Sequence, residues 1–398
     1  MRFHSSQIEL SESALRRNIR FLCGVIGEQT RFVSVIKGNA YGHGIRTFVP
    51  LAERCGVRHF AVSSADEALL AWESRTTDSD IMIMGDIDAE ALEWAVGSGI
   101  SFYVFGTDRL TAAVAAAGNV GVPARIHLEL ETGLNRTGLG DQDLAAALDI
   151  VQRNPQRVSV EGVCTHYAGA ESVGNYLRLQ TQYQRFNALC NVIRERGVQP
   201  RLRHTACSAA AITYPETTMD MVRIGIAHYG FWPSRETQMH YTMNALKANQ
   251  PVESGDGPQR RLADPLRRVI RWTSQIMEIK RVGPGDFVGY GTSYLTTRPQ
   301  KVAAIPVGYF HGFARTLSNL GHVLVRGRRA PVVGIVNMNM TMIDITDIPG
   351  VENGDEVVLI GKQRKGVITV SSFSDMTRFL NYEVLVRLPS EIPRVVVK

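Results

Sequence analysis

The sequence has no long apolar run, few cysteines and no glycine-rich dinucleotide-binding fingerprint. No segment reaches the roughly 18 apolar residues of a transmembrane helix, so we expect no membrane partner. The N-terminal residues have no apolar signal-peptide core, which is typical of a cytoplasmic protein. The five cysteines are odd in number and none has CxxC spacing. We therefore expect reduced thiols in the cytoplasm and no metal site.

The charge balance is mildly basic, with a formal net charge of +6. Much of the excess lies in one stretch that contains Arg260, Arg261, Arg267, Arg268 and Arg271. The stretch lacks the aromatic interleaving and repeated basic face of nucleic-acid binders, so we expect a solvated surface and no nucleic-acid partner. A modest positive field would also suit an anionic cofactor or substrate.

Short apolar runs alternate with helical patterns over the first 230 residues. Such alternation implies parallel strands covered by helices, and eight strand–helix units predict a (β/α)8 barrel. A doubly wound sheet is the alternative, but it would require a Gly-x-Gly-x-x-Gly turn after the first strand. The predicted strands are Phe32–Ile36, His59–Ser63, Ile81–Met84, Ser101–Phe105, Ala124–Leu130, Val158–Thr165, Leu202–Cys207 and Met221–Ala227.

The composition changes after about residue 235. Residues 247–265 are rich in Pro, Gly, Gln, Asp and Arg, which indicates a loop or an extended insertion. After Arg267 the pattern is all strand, beginning with Val269–Ile279 and separated by Gly- and Asp-containing turns. We predict a barrel domain at 1–238 and a mostly β domain at 239–398, with the N-terminal residues up to about residue 10 able to pair with the second.

A single lysine stands where the first predicted strand ends. Burial on one side lowers the pKa of a lysine, and the neutral amine condenses with aldehydes, so Lys37 is a candidate Schiff-base residue. From the local pattern alone, a solvated loop lysine is an equally good interpretation. Polar residues also stand at other strand ends, where barrel enzymes carry their chemistry. They are Arg136, His166, Ser208 and Arg223.

The segment Lys-x-Asn-Ala-Tyr-Gly-His-Gly, from Lys37 to Gly44, resembles the cofactor-lysine motif of the alanine racemases. The resemblance extends over the barrel, the β domain and several ordered motifs. It implies a pyridoxal-phosphate-dependent racemase that acts on alanine and supplies D-alanine for cell-wall peptidoglycan. It also implies a homodimer whose active sites are shared between the subunits.

The resemblance also assigns the two catalytic faces. Lys37 would hold the cofactor and act on one face of the substrate α-carbon, and Tyr290 from the partner subunit would act on the other. His166 would hydrogen-bond this tyrosine. Arg223 would face the pyridine nitrogen and, because arginine only donates, would leave that nitrogen unprotonated.

The remaining binding roles follow from the same resemblance. Arg136 would contact the cofactor's phenolic oxygen and the substrate carboxylate, and the main chain of Met338 would help to bind that carboxylate. Tyr309 and Arg315 would narrow the entrance. The expected phosphate-binding residues are Tyr41, Ser208, Gly225, Ile226 and Tyr382.

Three departures from the family pattern bear on the substrate and on Arg136. Glu129 stands where many members carry a lysine whose carbamate orients the arginine, and we expect Glu129 or Glu131 to supply that charge instead. Residues 337–340 read Asn-Met-Asn-Met where Cys-Met-Asp-Gln is usual, and Phe310 and His311 replace Ala-Asp at the entrance.

Several alternatives remain open. Racemisation of serine, or a broader specificity, would use the same machinery. A decarboxylase of this architecture would normally place a carboxylate opposite the pyridine nitrogen, where this chain has Arg223. A non-catalytic pyridoxal-phosphate carrier would normally be a bare barrel, and a regulatory binding module would show a partner-binding motif.

Overall fold

The computed structural model describes residues 4–247, 263–377 and 379–398, so most of the predicted 247–265 loop lies outside the described residues. The chain divides into two compact units. The barrel unit comprises Ala14–Lys37 and Val49–Arg267. The β unit comprises Met1–Ser13, Gly38–Phe48 and Arg268–Lys398. Among the described helices, none has both the length and the apolar character needed to cross a membrane.

Eight parallel strands form the sheet of the barrel unit, in the order β8-β7-β6-β5-β4-β3-β2-β9. The two end strands approach each other, because the Arg223 N–H donates to the Ala206 carbonyl and the Asp220 N–H donates to the Arg203 carbonyl, both at 3.1 Å. The predicted barrel is therefore confirmed as a nearly closed one. Strand β1 (Ser6–Ser11) belongs to the β unit, and the barrel strands are β2 (Arg31–Val35), β3 (His59–Ser64), β4 (Asp80–Asp86), β5 (Ser101–Val104), β6 (Ala124–Glu129), β7 (Val158–Cys164), β8 (Leu202–His204) and β9 (Met221–Ile224).

Amphipathic helices connect the strands. In the longest, four apolar residues at helical spacing (Leu179, Phe186, Leu189 and Ile193) are buried, and each contributes roughly 1.5–3 kcal/mol of hydrophobic free energy. The helices are α1 (Glu12–Ile26), α2 (Ile45–Arg54), α3 (Ala65–Ser74), α4 (Ala89–Gly97), α5 (Thr107–Val120), α6 (Asp141–Arg153), α7 (Tyr176–Glu195), α8 (Ser208–Thr213) and α9 (Arg235–Lys247).

The β unit contains two sheets. The larger has the order β14-β13-β16-β10-β1-β18, with β17 paired to β16, and the smaller has the order β11-β12-β15. Strand β1 pairs antiparallel to β10 and parallel to β18, so both ends of the chain join one sheet. These strands are β10 (Ile270–Gln275), β11 (Glu278–Val282), β12 (Gln300–Ile305), β13 (His322–Val325), β14 (Arg328–Pro331), β15 (Thr341–Asp344), β16 (Glu356–Gln363), β17 (Gly366–Ile368) and β18 (Arg394–Val397).

The prediction that every element after Arg267 is a strand is wrong in one region. Two helices, α10 (Val370–Thr377) and α11 (Asn381–Val386), follow β17. Val370, Phe373 and Thr377 are buried at a spacing of three and four residues, which is a helical period that the surrounding serines conceal.

The predicted strand Val269–Ile279 is two strands rather than one. The Ile276 N–H donates to the Asp355 carbonyl at 2.9 Å, whereas the next N–H, of Met277, donates to the Ala304 carbonyl at 2.8 Å. The chain therefore leaves one sheet and enters the other at this point. The strand-like pattern of residues 269–279 runs on across this point and gives no sign of the change.

Candidate active site

Lys37 stands where the chain leaves β2, at the carboxyl end of the barrel strands. The Ile36 N–H donates to the Ala61 carbonyl at 2.8 Å and so continues the pairing with β3 up to the lysine. The side chain reaches solvent, yet its pKa is lowered, first by desolvation and then by the positive charges of Arg136 and Arg223. A larger fraction of this amine is therefore neutral than in a free lysine.

The residues after Lys37 form one turn of left-handed helix, which is part of the β unit. Gly38 (φ 62°, ψ 46°), Asn39 and Ala40 all lie in the left-handed region, and the Gly42 N–H closes the turn on the Gly38 carbonyl at 3.0 Å. Each non-glycine residue in this conformation costs roughly 1–2 kcal/mol. Contacts must therefore hold the turn, and one is the Ile45 N–H, which donates to Asn39 Oδ1 at 2.9 Å.

Arg223 is a buried cation on β9, with 4% of its surface exposed. Its NH1 group donates to His204 Nδ1 at 2.6 Å and to the His204 carbonyl at 2.9 Å. Its NH2 group donates to the carbonyls of Thr165 at 2.8 Å and Thr205 at 3.1 Å. These four hydrogen bonds to three residues fix the plane of the guanidinium, so its positive charge has one position in the barrel.

Two buried histidines, His204 and His127, can lie near the positive charge of Arg223 because both are neutral. Burial and the Arg223 charge hold the pKa of His204 well below its usual value. Its Nε2 lies 2.9 Å from Nδ1 of His127, whose pKa burial lowers to about 3. With Arg223 donating to Nδ1, His204 must carry its proton on Nε2 and donate it to His127.

His166 follows β7 and belongs to the same electrostatic group. Desolvation, and then the charges of Arg223, Arg136 and Lys37, lower its pKa to about 3. The imidazole is therefore neutral at physiological pH and has one nitrogen free of protons that can accept a hydrogen bond. A neutral histidine beside two permanent cations is suited to orienting a hydroxyl rather than to donating a proton.

The loop after β6 carries Arg136 and folds back on its own strand. The Leu139 N–H donates to the Glu129 carbonyl at 2.8 Å, and the Glu131 N–H donates to the Leu139 carbonyl at 3.1 Å. The Glu131 carboxylate accepts from the N–H groups of Gly133 and Asn135, so it braces the loop internally. Because the Glu131 carboxylate is already used in this way, it is less available than that of Glu129 to pair with Arg136.

Glu129 is the last residue of β6, just before this loop, and it is buried, with 3% of its surface exposed. Desolvation raises its pKa, whereas a hydrogen bond from Thr137 and the Arg136 charge act in the opposite direction. Its Oε2 atom has no hydrogen-bond partner among the described residues. One buried carboxylate oxygen is thus available to a further donor, and the charge of Arg136 is near enough to act on this carboxyl group.

Ser208 and Gly225 meet at the carboxyl ends of β8 and β9. The Gly225 N–H donates to Ser208 Oγ at 2.9 Å, and Ser208 is the first residue of helix α8. Ile226 follows directly and is also buried. Hydroxyl and N–H groups at such a junction form a small polar corner suited to an anion.

Five predicted site residues lie in the β unit instead. The rings of Tyr41 and Tyr382 are 5.9 Å apart. Tyr290 is 73% exposed. The Tyr309 N–H donates to the Asn337 carbonyl at 3.0 Å, which places this tyrosine beside the segment that contains the exposed Met338. The structure thus brings together Lys37, Arg136, His166, Ser208, Arg223, Gly225 and Ile226 in one unit, and Tyr41, Tyr290, Tyr309, Met338 and Tyr382 in the other.

Sequence reasoning did not find the buried partners of the site residues. One is His204, which accepts a hydrogen bond from Arg223. Another is Gln182, which donates to the loop that carries Arg136 and to the loop that carries His166. Gln182 had a readable signal, because it stands in the otherwise apolar buried stripe of α7. His204 had none, since it lies in a short strand with no evident pattern.

A barrel of eight parallel strands with charged and titratable residues at the strand ends defines an enzyme of the (β/α)8 class. The family model described as "Alanine racemase, N-terminal domain" matches residues 10–233, and that described as "Alanine racemase, C-terminal domain" matches residues 269–396. The chain therefore belongs to the alanine racemase family and is an isomerase of the amino-acid racemase class.

Individual relatives cover almost the whole chain. The alanine racemase of Leptospira interrogans serovar copenhageni is 34% identical over 99% of this chain and 96% of its own length. The structure of alanine racemase from Bacillus anthracis with bound L-Ala-P has a TM-score of 0.85 and 28% identity, covering 100% of this chain and 96% of that one. Alanine racemase from D-cycloserine-producing Streptomyces lavendulae has a TM-score of 0.86 and 29% identity, covering 100% and 98%.

Proposed function

We propose that this chain is a pyridoxal-phosphate-dependent racemase that interconverts L- and D-alanine, with Lys37 as the residue that holds the cofactor. The observation that carries the proposal is an amine at a barrel strand end, whose pKa is lowered by desolvation and by the charges of Arg136 and Arg223. The neutral amine is the reactive form toward an aldehyde, and the surrounding positive charge favours an anionic ligand.

The donors of the barrel unit fit the chemistry of this cofactor. Ser208 offers its hydroxyl proton and Ile226 its main-chain N–H for a phosphate, and Gly225 holds Ser208 Oγ beside them through its own N–H. We assign Tyr41 and Tyr382 to the same group. Arg223 would face the pyridine nitrogen, where it can donate but cannot deliver a proton. When bound, pyridoxal phosphate withdraws electrons from the α-carbon of the amino acid joined to it.

Two proton-transfer groups complete the proposal. Racemisation requires that a proton removed from one face of the α-carbon is returned to the other face. Lys37 Nζ would serve one face and the Tyr290 hydroxyl the other, with neutral His166 accepting a hydrogen bond from the tyrosine. The exposure of Tyr290 is consistent with its serving the site of a second copy, so we propose a homodimer with shared active sites.

Arg136 and the Met338 N–H would bind the substrate carboxylate, and Tyr309 would narrow the entrance. Glu129 would hold Arg136 in place through its own carboxylate, without covalent modification. Desolvation raises the pKa of that carboxyl group, and the charge of Arg136 opposes this shift. The substitutions at 337–340 and at Phe310 leave serine, or a wider range of amino acids, as the alternative substrate.

The relatives are named alanine racemases, which supports alanine over this alternative. We further propose that the product D-alanine is supplied for cell-wall peptidoglycan. All five cysteines are free in the structure, which suits the reducing cytoplasm in which such precursors are made.

The test is racemisation of a panel of amino acids by purified protein, with and without added pyridoxal phosphate. We expect both alanine enantiomers to be converted, faster than serine or larger amino acids, and only when the cofactor is present. Faster conversion of serine would establish the alternative substrate. Release of carbon dioxide without racemisation would contradict the proposed reaction itself.

A further inference from the structure

Gln182 is a polar residue in the apolar stripe of α7, with 1% of its surface exposed. Its Nε2 group donates to Thr132 Oγ1 at 3.1 Å and to the His166 carbonyl at 3.0 Å. Its Oε1 atom accepts from the Ala168 N–H at 2.8 Å. These partners belong to two loops, one after β6 that leads to Arg136 and one after β7 that contains His166.

The bonds continue through two threonine hydroxyls with only one consistent direction. Thr165 Oγ1 donates to the Leu130 carbonyl at 2.9 Å, so it must accept from Thr132 Oγ1, which lies 2.8 Å away. Thr132 in turn accepts from Gln182. Each hydroxyl proton is therefore used once, and the two loops are joined by a buried chain of hydrogen bonds.

The same chain of hydrogen bonds also reaches Arg223. Arg223 donates to the main-chain carbonyl of Thr165 at 2.8 Å. The bonds thus run from the Gln182 amide to Thr132, from Thr132 to Thr165, and from Thr165 to the Arg223 guanidinium. The positions of Arg223, of His166 and of the Arg136 loop all depend on residues that this network fixes.

An apolar residue at position 182 would suit the stripe of α7 as well as glutamine does. What the Gln182 amide adds is directional hydrogen bonding, with two N–H donors and one oxygen acceptor that a hydrocarbon side chain does not have. Its removal would leave the His166 carbonyl, the Ala168 N–H and the Thr132 hydroxyl without this partner. Thr132 and Ala168 are buried, where water cannot readily replace a lost bond.

We infer that Gln182 is a positioning residue for the racemase site, which sets the loops of Arg136 and His166 relative to each other without touching the reacting atoms. This inference rests on the proposed function for its catalytic meaning. The placement of the loops themselves can be measured independently of turnover.

The first test is amide hydrogen exchange in the holoenzyme without substrate. We expect Gln182→Met to speed exchange in residues 131–138 and 166–169 by at least about tenfold, because buried donors and acceptors lose their partner. Gln184→Met is the matched control, since Gln184 is an exposed residue of the same helix. Unchanged exchange of both loops in Gln182→Met would overturn the inference.

The second test measures carboxylate binding with propionate as a competitive inhibitor of alanine racemisation. We expect Gln182→Met to raise its inhibition constant about tenfold and Gln184→Met to leave it unchanged. Because Gln182 acts through Arg136, adding Gln182→Met to Arg136→Lys should weaken propionate binding little further. Fully additive losses would show that Gln182 acts elsewhere.

Thr132 provides a second route if Gln182→Met does not fold. Thr132→Ser keeps the hydroxyl and should retain slow exchange and propionate binding, whereas Thr132→Val should lose both. Equal behaviour of these two variants would overturn the inference. If the wild-type protein racemises no amino acid, the proposed function fails, but the exchange measurements still decide whether Gln182 fixes the loops.

Discussion

Replacing Gly42 with alanine should destabilise the β unit by more than the conformational preference of glycine explains. Gly42 has φ 77°, which L-residues rarely adopt. A Cβ atom there would lie 1.9 Å from the Leu385 carbonyl oxygen and 2.7 Å from its carbon. Both are main-chain atoms, so no side-chain rotation can relieve the overlap.

The magnitude has two parts. The left-handed conformation costs an alanine roughly 1–2 kcal/mol. Restoring an ordinary carbon–oxygen separation of about 3.3 Å requires a main-chain shift of more than about 1 Å, and such overpacking costs roughly 1–3 kcal/mol more. We therefore expect a total loss of about 2–5 kcal/mol, together with displacement of the turn that follows Lys37.

Urea unfolding and cofactor uptake are the assays, and Gly354→Ala is the control in the same unit. Gly354 has φ 86°, and no described atom lies within 4 Å of its added Cβ. That variant should lose only about 1–2 kcal/mol, and it should take up the cofactor normally. Equal losses in the two variants would refute the argument, because only Gly42 contacts the Leu385 main chain.

Four further changes test the proposed roles. Lys37→Ala should abolish racemisation and the borohydride-reducible cofactor band; a retained band would disprove the lysine assignment. Tyr290→Phe should slow α-proton exchange from L-alanine far more than from D-alanine, and equal slowing in an exchange-limited assay would contradict a one-face role. Because the pKa of Lys37 is lowered, cofactor uptake by the cofactor-free protein should increase with pH, with a midpoint below the usual lysine pKa of about 10.4. A midpoint at the usual lysine pKa would contradict the shift. Glu129→Gln should raise the KM for alanine about tenfold, with Glu131→Gln as the control for loop bracing, and an unchanged KM would exclude Glu129 as the partner of Arg136.

The barrel could be predicted because its signal is local and repeated. Each strand is a short apolar run and each connection a helical pattern, so periodicity alone gives the order of the elements. Parallel strands also align their carboxyl ends, which is why residues as distant as Arg136 and Arg223 could be expected at one end. No knowledge of individual contacts was needed for either step.

The turn after Lys37 shows what a local pattern cannot give. Its left-handed residues include Ala40 and Tyr41, which do not signal that conformation, beside Asn39, which tolerates it. Gly42 lies against the main chain of Leu385, more than 300 positions later in the sequence. The helix that carries Leu385 was not predicted, so the constraint could not be inferred from the sequence.

Desolvation and the fixed charges of the barrel unit together lower the pKa values of Lys37 and His166. Desolvation is the larger cause, and the permanent charges of Arg136 and Arg223 add to it, so both groups hold fewer protons than they would in water. An anion bound among these groups would act in the opposite direction and raise both pKa values. The resting site thus holds a larger share of the neutral amine, which can react with an aldehyde, than a free lysine does. A bound phosphate or carboxylate would make the same lysine hold its proton more strongly, which is the property that the proposed two-base mechanism needs once a substrate is in place.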